Sequence, residues 1–145
     1  MIRTALLSDM PQITHVRTSV QENHMSVADL ARYGVTEESM ANDISAGFLG
    51  AWVAELETRI VAFSMADKRN GNIFALFTLP GHENRSFGTG LLNACENYQR
   101  TNGHRQANLD TARNTIARSF YLNRGWNEVS AKPDDPTSVI MHKDL

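Results

Sequence analysis

Residues 85–90 of this 145-residue chain read Arg-Ser-Phe-Gly-Thr-Gly and separate a strand-forming run from a leucine-rich helical stretch. The run is residues 73–79, Ile-Phe-Ala-Leu-Phe-Thr-Leu, and the helical stretch is residues 91–98. The glycines are therefore predicted where a strand ends and a helix begins. A helix start presents free backbone N–H groups and the positive end of the helix dipole, and glycines let an anion approach that backbone. The segment predicts a phosphate-binding loop, to which Arg85 adds forked positive donors.

Two well-known phosphate loops do not fit this segment. The Walker loop requires Gly-Lys-Ser/Thr, which the chain lacks. A dinucleotide fingerprint requires a third glycine three residues after Gly90, where the chain has Asn93. The fingerprint also opens the first strand–helix unit of its domain, whereas this loop lies in the middle of the chain.

The loop and a second segment together resemble a known family. Arg-x-x-Gly-x-Gly after a strand ending in Leu-Pro is similar to the acetyl-CoA signature of the GNAT superfamily of N-acetyltransferases. Residues 114–126, Asn-Thr-Ile-Ala-Arg-Ser-Phe-Tyr-Leu-Asn-Arg-Gly-Trp, resemble that family's Asn-x-x-Ala-x-x-Phe-Tyr-x-x-x-Gly-aromatic segment. The resemblance implies an acyl-CoA-dependent N-acetyltransferase that uses acetyl-CoA, without a metal, to acetylate a primary amine of a small molecule or protein.

The resemblance also implies the residues that bind the cofactor. Backbone groups of the strand before the loop would bind pantetheine, and N–H groups of the loop would bind the pyrophosphate. The residues carried over are Phe77, Thr78, Leu79, Arg85, Ser86, Phe87, Gly88, Thr89, Gly90, Asn114, Ala117 and Tyr121. Asn114 is expected either to bond pantetheine or an ordered water, or to cap a helix. A bulky residue at Gly88 or Gly90 is expected to weaken CoA binding by blocking the approach to the backbone.

Acetyl transfer to an amine needs an acid for the leaving thiolate and a route for the proton of the amine. The resemblance assigns Tyr121 as the general acid. Many relatives carry a Glu near the start of the strand before the loop, but this chain has Asn72 there, which cannot act as a base. Glu22 is taken as the base or as a substrate contact. The alternatives left open are Glu55, Asp67, His24 and a chain of ordered waters.

The predicted elements favour an α/β fold of the α+β type, with a mixed central sheet and helices on both faces, in a single domain over residues 1–145. Strands are expected at residues 2–6, 49–56, 60–66 and 73–79, from 107, and at 126–130 and 138–142. Helices are expected from 8 or 9, and at 26–33, 36–44, 89–101 and 114–124. A hairpin turn is expected at Asn70-Gly71.

The overall net charge of −2 conceals two oppositely charged segments. Residues 1–60 carry four arginines against eight carboxylates, a net charge of −4. Residues 85–124 carry six arginines against two carboxylates, a net charge of +4. The basic segment contains both cofactor motifs and suits the phosphates of CoA, whereas the acidic segment suits a cationic amine.

Composition predicts a cytoplasmic protein that does not bind nucleic acid. With no long apolar run and no basic leader, a membrane span and a signal peptide are not expected. The single Cys95 fits a reducing cytoplasm and is expected to be a small core residue. The chain shows neither a basic run nor a Cys/His metal spacing, so nucleic-acid binding is not expected. A homodimer is one expectation, with residues 126–145 contributing an interface.

Two other functions remain open at this point. A non-catalytic CoA-binding sensor with the same fold would explain the missing carboxylate at Asn72. A flavodoxin-like nucleotide binder would need strand–helix alternation from the N-terminus, whereas residues 47–79 read as consecutive strands.

Overall fold

The structure is a computed structural model that describes residues 1–83 and 85–145. The strands are β1 Ile2–Thr4, β2 Leu49–Leu56, β3 Arg59–Asp67, β4 Asn72–Thr78, β5 Gln106–Ala112, β6 Asn127–Lys132 and β7 Asp135–Asp144. The helices are α1 Met10–Ser19, α2 Val27–Arg32, α3 Glu37–Ser45, α4 Phe87–Thr101 and α5 Ile116–Leu122. A short 3-10 turn at Leu7–Asp9 leads into α1.

The strands that the structure describes form one sheet in the order β1-β2-β3-β4-β5-β7-β6. The first four strands are antiparallel neighbours, as are β5, β7 and β6. Only β4 and β5 run parallel, because α4 carries the chain across the sheet between them. The predicted α+β fold with a mixed sheet is confirmed.

Helices cover both faces of the sheet, and alternate side chains of β3 point to one face or the other. The Ser64 hydroxyl donates to the carbonyl of Leu91, which places even-numbered residues of this part of β3 against α4. Phe63 and Met65 therefore point to the opposite face, where they join a core cluster with Met10 and Ile13 of α1. On the other side, α4 buries Leu91, Leu92, Cys95 and Gln99, which recur at helical spacing.

The parallel strands β4 and β5 are joined at one residue pair, Asn72 and Asn108. The N–H of Asn108 donates to the carbonyl of Gly71 at 3.0 Å, and Nδ2 of Asn72 donates to Oδ1 of Asn108 at 2.9 Å. Nε2 of the buried Gln99 donates to the carbonyls of Asp67 and Asn72 at 2.9 and 3.1 Å. Beyond this group of amides, β4 and β5 separate along the rest of their length.

Two helix starts differ from the sequence prediction. α4 begins at Phe87 rather than at residue 89, because Ser86, with φ of 65°, turns the chain through a left-handed conformation directly before it. α5 begins at Ile116 rather than at residue 114. Asn114 has φ of 56°, so the helix is capped by Thr115, whose hydroxyl accepts from the N–H of Arg118 at 3.2 Å.

Replacing Gln99 by Ala is expected to lower the free energy of unfolding by about 2–4 kcal/mol, because it removes two buried hydrogen bonds and leaves a cavity. Urea denaturation followed by circular dichroism measures the change. The matched control is Asn93→Ala on the exposed side of the same helix, which should stay within about 0.5 kcal/mol of the parent protein. Equal effects of the two substitutions would show that the side-chain amide of Gln99 does not stabilise the junction of β4 and β5, the base of the split between them.

Candidate functional site

The separation of β4 and β5 opens a cleft of about 1490 Å³ that extends to both faces of the sheet. One wall comes from α1 to α3, and the other comes from the loop before α4 and from α5. Residues from the site prediction that line it are Glu22, Phe77, Thr78, Arg85, Ser86, Phe87, Gly88, Thr89, Ala117 and Tyr121. The fold therefore brings most of the two predicted motifs to one cavity.

Every second residue of β4 directs its backbone N–H and C=O groups into the split between β4 and β5. The N–H of Leu79 donates to the carbonyl of Val61 on β3 at 2.7 Å. Since backbone groups alternate between the two edges of a strand, Leu76 and Thr78 present theirs to the split, while Phe77 presents its own to β3. The prediction that backbone groups of Phe77 and Leu79 bind pantetheine is corrected, because both residues turn these groups toward β3. Leu79 is also 5% exposed in the core, whereas the side chain of Phe77 lines the cleft.

The N-terminus of α4 faces the cleft without a side-chain cap. Ser86 accepts no capping hydrogen bond through its side chain in the part of the chain that the structure describes. The N–H groups of Phe87, Gly88 and Thr89 lie in the first turn, where no helical carbonyl precedes them. Together with the exposed Arg85, they form a positive end that can bind an anion.

The two loop glycines each lie close to another part of the protein. A Cβ on Gly88 would lie 3.2 Å from the ring of Phe120 on α5. A Cβ on Gly90 would contact Cδ1 of Ile2 on β1 too closely to be accommodated without a shift. Both glycines allow α4 to pack closely against its neighbours. Gly90 is not among the residues that line the cleft, so a side chain there would first disturb the packing on β1. Gly88 does line the cleft, and the expectation that bulk there weakens CoA binding stays a prediction.

Arg124 connects the two motifs, and sequence reasoning missed it. Its Nε and one terminal nitrogen donate to the Thr89 hydroxyl at 3.1 and 2.9 Å. Its guanidinium lies 3.7 Å from the ring centroid of Phe120 and donates to that residue's carbonyl at 3.0 Å. The loop is thus fixed to α5 from the side. An arginine inside the second motif was the available signal.

Tyr121 lines the cleft from α5 and is 8% exposed. Its ring makes edge contacts with Phe120 and Trp126, with centroids 5.4 and 5.9 Å apart. Burial raises the pKa of the Tyr121 phenol, which therefore keeps its proton at neutral pH. Burial also raises the pKa of Cys95 to about 12, so this thiol is not a nucleophile at neutral pH.

At the start of α5, the residue that caps the helix and lines the cleft is Thr115 rather than the predicted Asn114. Asn114 is exposed and is not among the residues that line the cleft. Thr115 takes the capping role that was one of the two expectations for Asn114, and it lines the cleft with Ile116 and Ala117. The side chain of Ile116 is 80% exposed, which leaves an apolar surface at the mouth of the cleft.

The structure shows which of the candidate general bases from the sequence line the cleft. Glu55 pairs with Arg3 at 3.4 Å, and Asp67 pairs with Arg69 at 2.8 Å, and neither lines the cleft. His24 lies in a separate shallow depression, with Nδ1 3.0 Å from the carbonyl of Val20. Of the carboxylates proposed from sequence, Glu22 alone reaches the cleft, where it is exposed.

Asp110 is a cleft carboxylate that sequence reasoning missed. Its neighbour Leu109 is buried in the cluster that contains Cys95 of α4, so Asp110 points to the opposite face, the face covered by α1. It lines the cleft at the separated edge of β5 and forms an ion pair with Lys132 at 3.1 Å. The alternation of buried and polar residues along this strand was the signal.

Charge is unevenly distributed around the cleft, as the sequence predicted. The side of α4 and α5 carries Arg85 and Arg124 with Glu83, whereas the side of α1 to α3 carries Glu22, Glu37 and Glu38 with Arg17. Across residues 1–83 and 85–145, no three His, Cys, Asp or Glu side chains are grouped closely enough to hold a metal ion. In the same residues, no helix combines the length and apolar character that a membrane crossing requires.

Comparison with known proteins identifies the relatives of this fold. A family model described as "Acetyltransferase (GNAT) family" matches residues 16–126, which is more than half of the chain. Among solved structures, the PaiA N-acetyltransferase of Thermoplasma acidophilum in complex with coenzyme A is 18% identical with a TM-score of 0.83, over 100% of this chain and 98% of its own. No curated protein sequence matches significantly.

Two further structures agree in fold. A GNAT-family acetyltransferase of Staphylococcus aureus is 18% identical with a TM-score of 0.80, over 100% of this chain and 98% of its own. A ribosomal-protein-alanine N-acetyltransferase of Brucella melitensis is 15% identical with a TM-score of 0.73, over 100% and 99%. Identities this low establish similarity of fold, and the family model establishes the family.

Gly90→Ala is expected to lower the free energy of unfolding by about 1–3 kcal/mol, because the added Cβ meets Cδ1 of Ile2. Ile2→Val removes that carbon, so the double variant should recover most of the loss relative to Ile2→Val alone. A double-mutant cycle by urea denaturation measures the coupling. If Ile2→Val gave no recovery, contact with β1 would not be the reason for glycine at this position.

Proposed function

This chain belongs to the acetyltransferase (GNAT) family, and we propose that it transfers the acetyl group of acetyl-CoA to a primary amine of a small molecule or a protein. The observation that carries the proposal is that the separated edge of β4 and the N-terminus of α4 border the same cleft. An extended molecule with a phosphate-bearing end fits such a combination of free backbone edge and helix start.

Each part of the cofactor has a complementary surface in the cleft. The pyrophosphate would bind the first-turn N–H groups of α4 and Arg85, which supply partial and full positive charge. The pantetheine amides would bond the backbone edge at Leu76 and Thr78. A backbone N–H at this edge would also polarise the thioester carbonyl, since negative charge develops on that oxygen during attack. Thr115, Ile116 and Ala117 would contact the arm from α5.

The transfer requires two proton movements. The amine nitrogen attacks the thioester carbonyl carbon, the C–N bond forms, and the C–S bond breaks to release the CoA thiolate. Tyr121 would give its phenolic proton to that sulfur, since its side chain lines the cleft and a tyrosine phenol is protonated at neutral pH. The proton from the amine would pass to a carboxylate in the cleft.

Asp110 and Glu22 would divide the work on the amine. Asp110 lines the cleft at the edge of the split, on the face covered by α1, and its carboxylate lies 3.1 Å from the ammonium of Lys132. We therefore assign the base to Asp110. Glu22 is exposed at the wall formed after α1, where it would attract and orient the cationic amine. This assigns Glu22 the substrate-contact role of its two sequence-based possibilities.

One observation favours a second candidate, a non-catalytic CoA sensor. The position that carries a glutamate in many relatives is Asn72, and its side chain is bonded to Asn108 in the group that joins β4 to β5. A sensor would keep the cofactor cleft without needing Asp110 or Tyr121 for turnover. We further propose a cytoplasmic location, which fits the single buried Cys95, and leave the predicted homodimer as a proposal.

Acetyl-CoA and CoA are each expected to raise the melting temperature in a thermal-shift titration, whereas ATP should have little effect. A ligand that binds only the folded state stabilises it by mass action, by about 2.7 kcal/mol at 100 times its Kd. Arg85→Gln should shift the titration to higher CoA concentrations, with Arg100→Gln at the exposed far end of α4 as control. An equal response to ATP, or none to CoA, would remove the basis for the function.

Tyr121→Phe is expected to lower kcat by about 100-fold or more while acetyl-CoA affinity stays nearly constant, because the ring remains and only the acid is lost. Asp110→Asn should lower kcat by a similar factor, and Glu22→Gln should mainly raise KM for the amine. Release of CoA thiol measures all three.

Lys132→Gln provides the control for Asp110, since it removes the ion pair and retains the carboxylate. An undiminished kcat in Asp110→Asn would assign the proton to water or to Glu22. Turnover that is absent in the parent protein with every amine tested, despite CoA binding, would favour the sensor.

A further inference from the structure

Arg17 on α1 places a half-buried guanidinium in the wall of the cleft. Its central carbon lies over the ring of Phe77 on β4, 4.3 Å from the ring centroid, which is within the range of a cation–π contact. One terminal nitrogen donates to the carbonyl of Asn23 at 3.2 Å. The contact with Phe77 and the hydrogen bond to Asn23 together hold the guanidinium at this place in the wall.

No carboxylate among the described residues forms an ion pair with Arg17. Arg3, Arg69 and Arg118, by contrast, each pair with an aspartate or glutamate. A guanidinium has five N–H donors, and the bond to Asn23 uses one of them. Burial lowers the pKa of Arg17, because removal from water disfavours the charged form of a guanidinium.

The position of Arg17 relative to the split limits what that partner can be. Phe77 lies opposite Phe63 in the β3–β4 ladder, and their ring centroids are 5.7 Å apart, so both rings lie on the face covered by α1. Phe77 also lies between Leu76 and Thr78, whose backbone groups face the split. The guanidinium is therefore beside the segment of β4 where the proposed function places the acyl group, on the side from which the amine arrives.

We propose that Arg17 binds a carboxylate of the amine acceptor, so that the acceptor is an amino acid or a similar amino-carboxylate rather than a simple amine or a polyamine. This inference rests on the proposed function and adds the chemical class of its substrate. A carboxylate meets the free edge of the fixed guanidinium through charge-assisted hydrogen bonds, which can be bidentate. With that end anchored, the amino group can be directed toward the split.

The charges around the cleft agree with an acceptor of both signs. Glu22, Glu37 and Glu38 line the same side of the cleft and would attract the ammonium group, while Arg17 receives the carboxylate deeper between α1 and β4. A polyamine would satisfy the three glutamates but would bring a cation against an unneutralised guanidinium. Like charges brought together in a partly buried site oppose binding.

The test compares amino acids with the amines that differ from them only by loss of the carboxylate, including lysine with 1,5-diaminopentane and ornithine with 1,4-diaminobutane. Thiol release from acetyl-CoA is measured for all twenty amino acids and their decarboxylated counterparts. The parent protein is expected to show a kcat/KM about tenfold or more higher for the carboxylated member of the pair it accepts, as follows from one charge-assisted interaction. Equal rates within every accepted pair, or a preference for the decarboxylated member, would overturn the inference.

Variants of Arg17 connect that preference to the residue. Arg17→Gln should abolish the difference within the pair, by raising KM for the carboxylated member and leaving the decarboxylated one nearly unchanged. Arg17→Lys keeps the charge and should retain part of the preference. Arg32→Gln removes an exposed arginine of α2 that pairs with Asp29, and it should behave as the parent protein. A loss equal for both members of the pair would make Arg17 a structural residue.

Cofactor binding separates failure of this inference from failure of the proposed function. Acetyl-CoA affinity, measured by thermal shift, should remain within about twofold in Arg17→Gln, because the variant changes the amine side of the cleft. A large fall in that affinity would assign Arg17 to the cofactor and overturn the proposal. Acetyl-CoA binding without transfer to any amino acid would overturn the substrate class alone, whereas absence of acetyl-CoA binding would overturn the proposed function itself.

Discussion

The whole site depends on how little of β4 and β5 is paired. The two parallel strands join at Asn72 and Asn108, and the amide of Gln99 bonds the carbonyls beside that junction. A continuous ladder would satisfy the backbone groups of β4 internally and close the cleft. Because the strands separate instead, one edge of β4 keeps its hydrogen-bonding capacity for another molecule. The side-chain amides of Asn72, Gln99 and Asn108 hold the two strands together at one end, and the strands stay apart beyond it.

The open edge works with the elements around it, which have opposite charge. On one side, the N-terminus of α4, Arg85 before it and Arg124 after α5 provide the positive potential that phosphates require. On the other, the glutamates after α1 and on α3 provide a negative rim. Tyr121 lies in the cleft with its proton retained by burial. Arg17 adds a cation to the negative side, over the ring of Phe77, and it has no carboxylate partner among residues 1–83 and 85–145. The two sides of the cleft therefore favour different groups: phosphates on the positive side, and an amine on the mostly negative side.

Some predictions from the sequence held because they depend on local chemistry, and others did not because they depend on contacts between distant residues. The hairpins, the order of elements and the loop before α4 follow from periodicity and turn residues, and the structure confirms them. The edge of β4 that faces the split follows from its register with β3, and that register left Leu79 in the core. Gly90 is small because Ile2, far away in sequence, packs against it. Neither contact is visible in a linear motif.

The sequence by itself determined the family resemblance, the mixed sheet with helices on both faces, and the gathering of two motifs at one site. It could do so because strand and helix periods, glycine turns and a short run of motif residues are written locally along the chain. The tertiary structure alone decided that Asp110 faces the cleft, that Thr115 replaces Asn114 at the start of α5, and that Arg17 stacks on Phe77 without an ion-pair partner among the described residues. Those facts depend on which face a side chain takes and on what lies across from it, which only the packing of distant segments fixes.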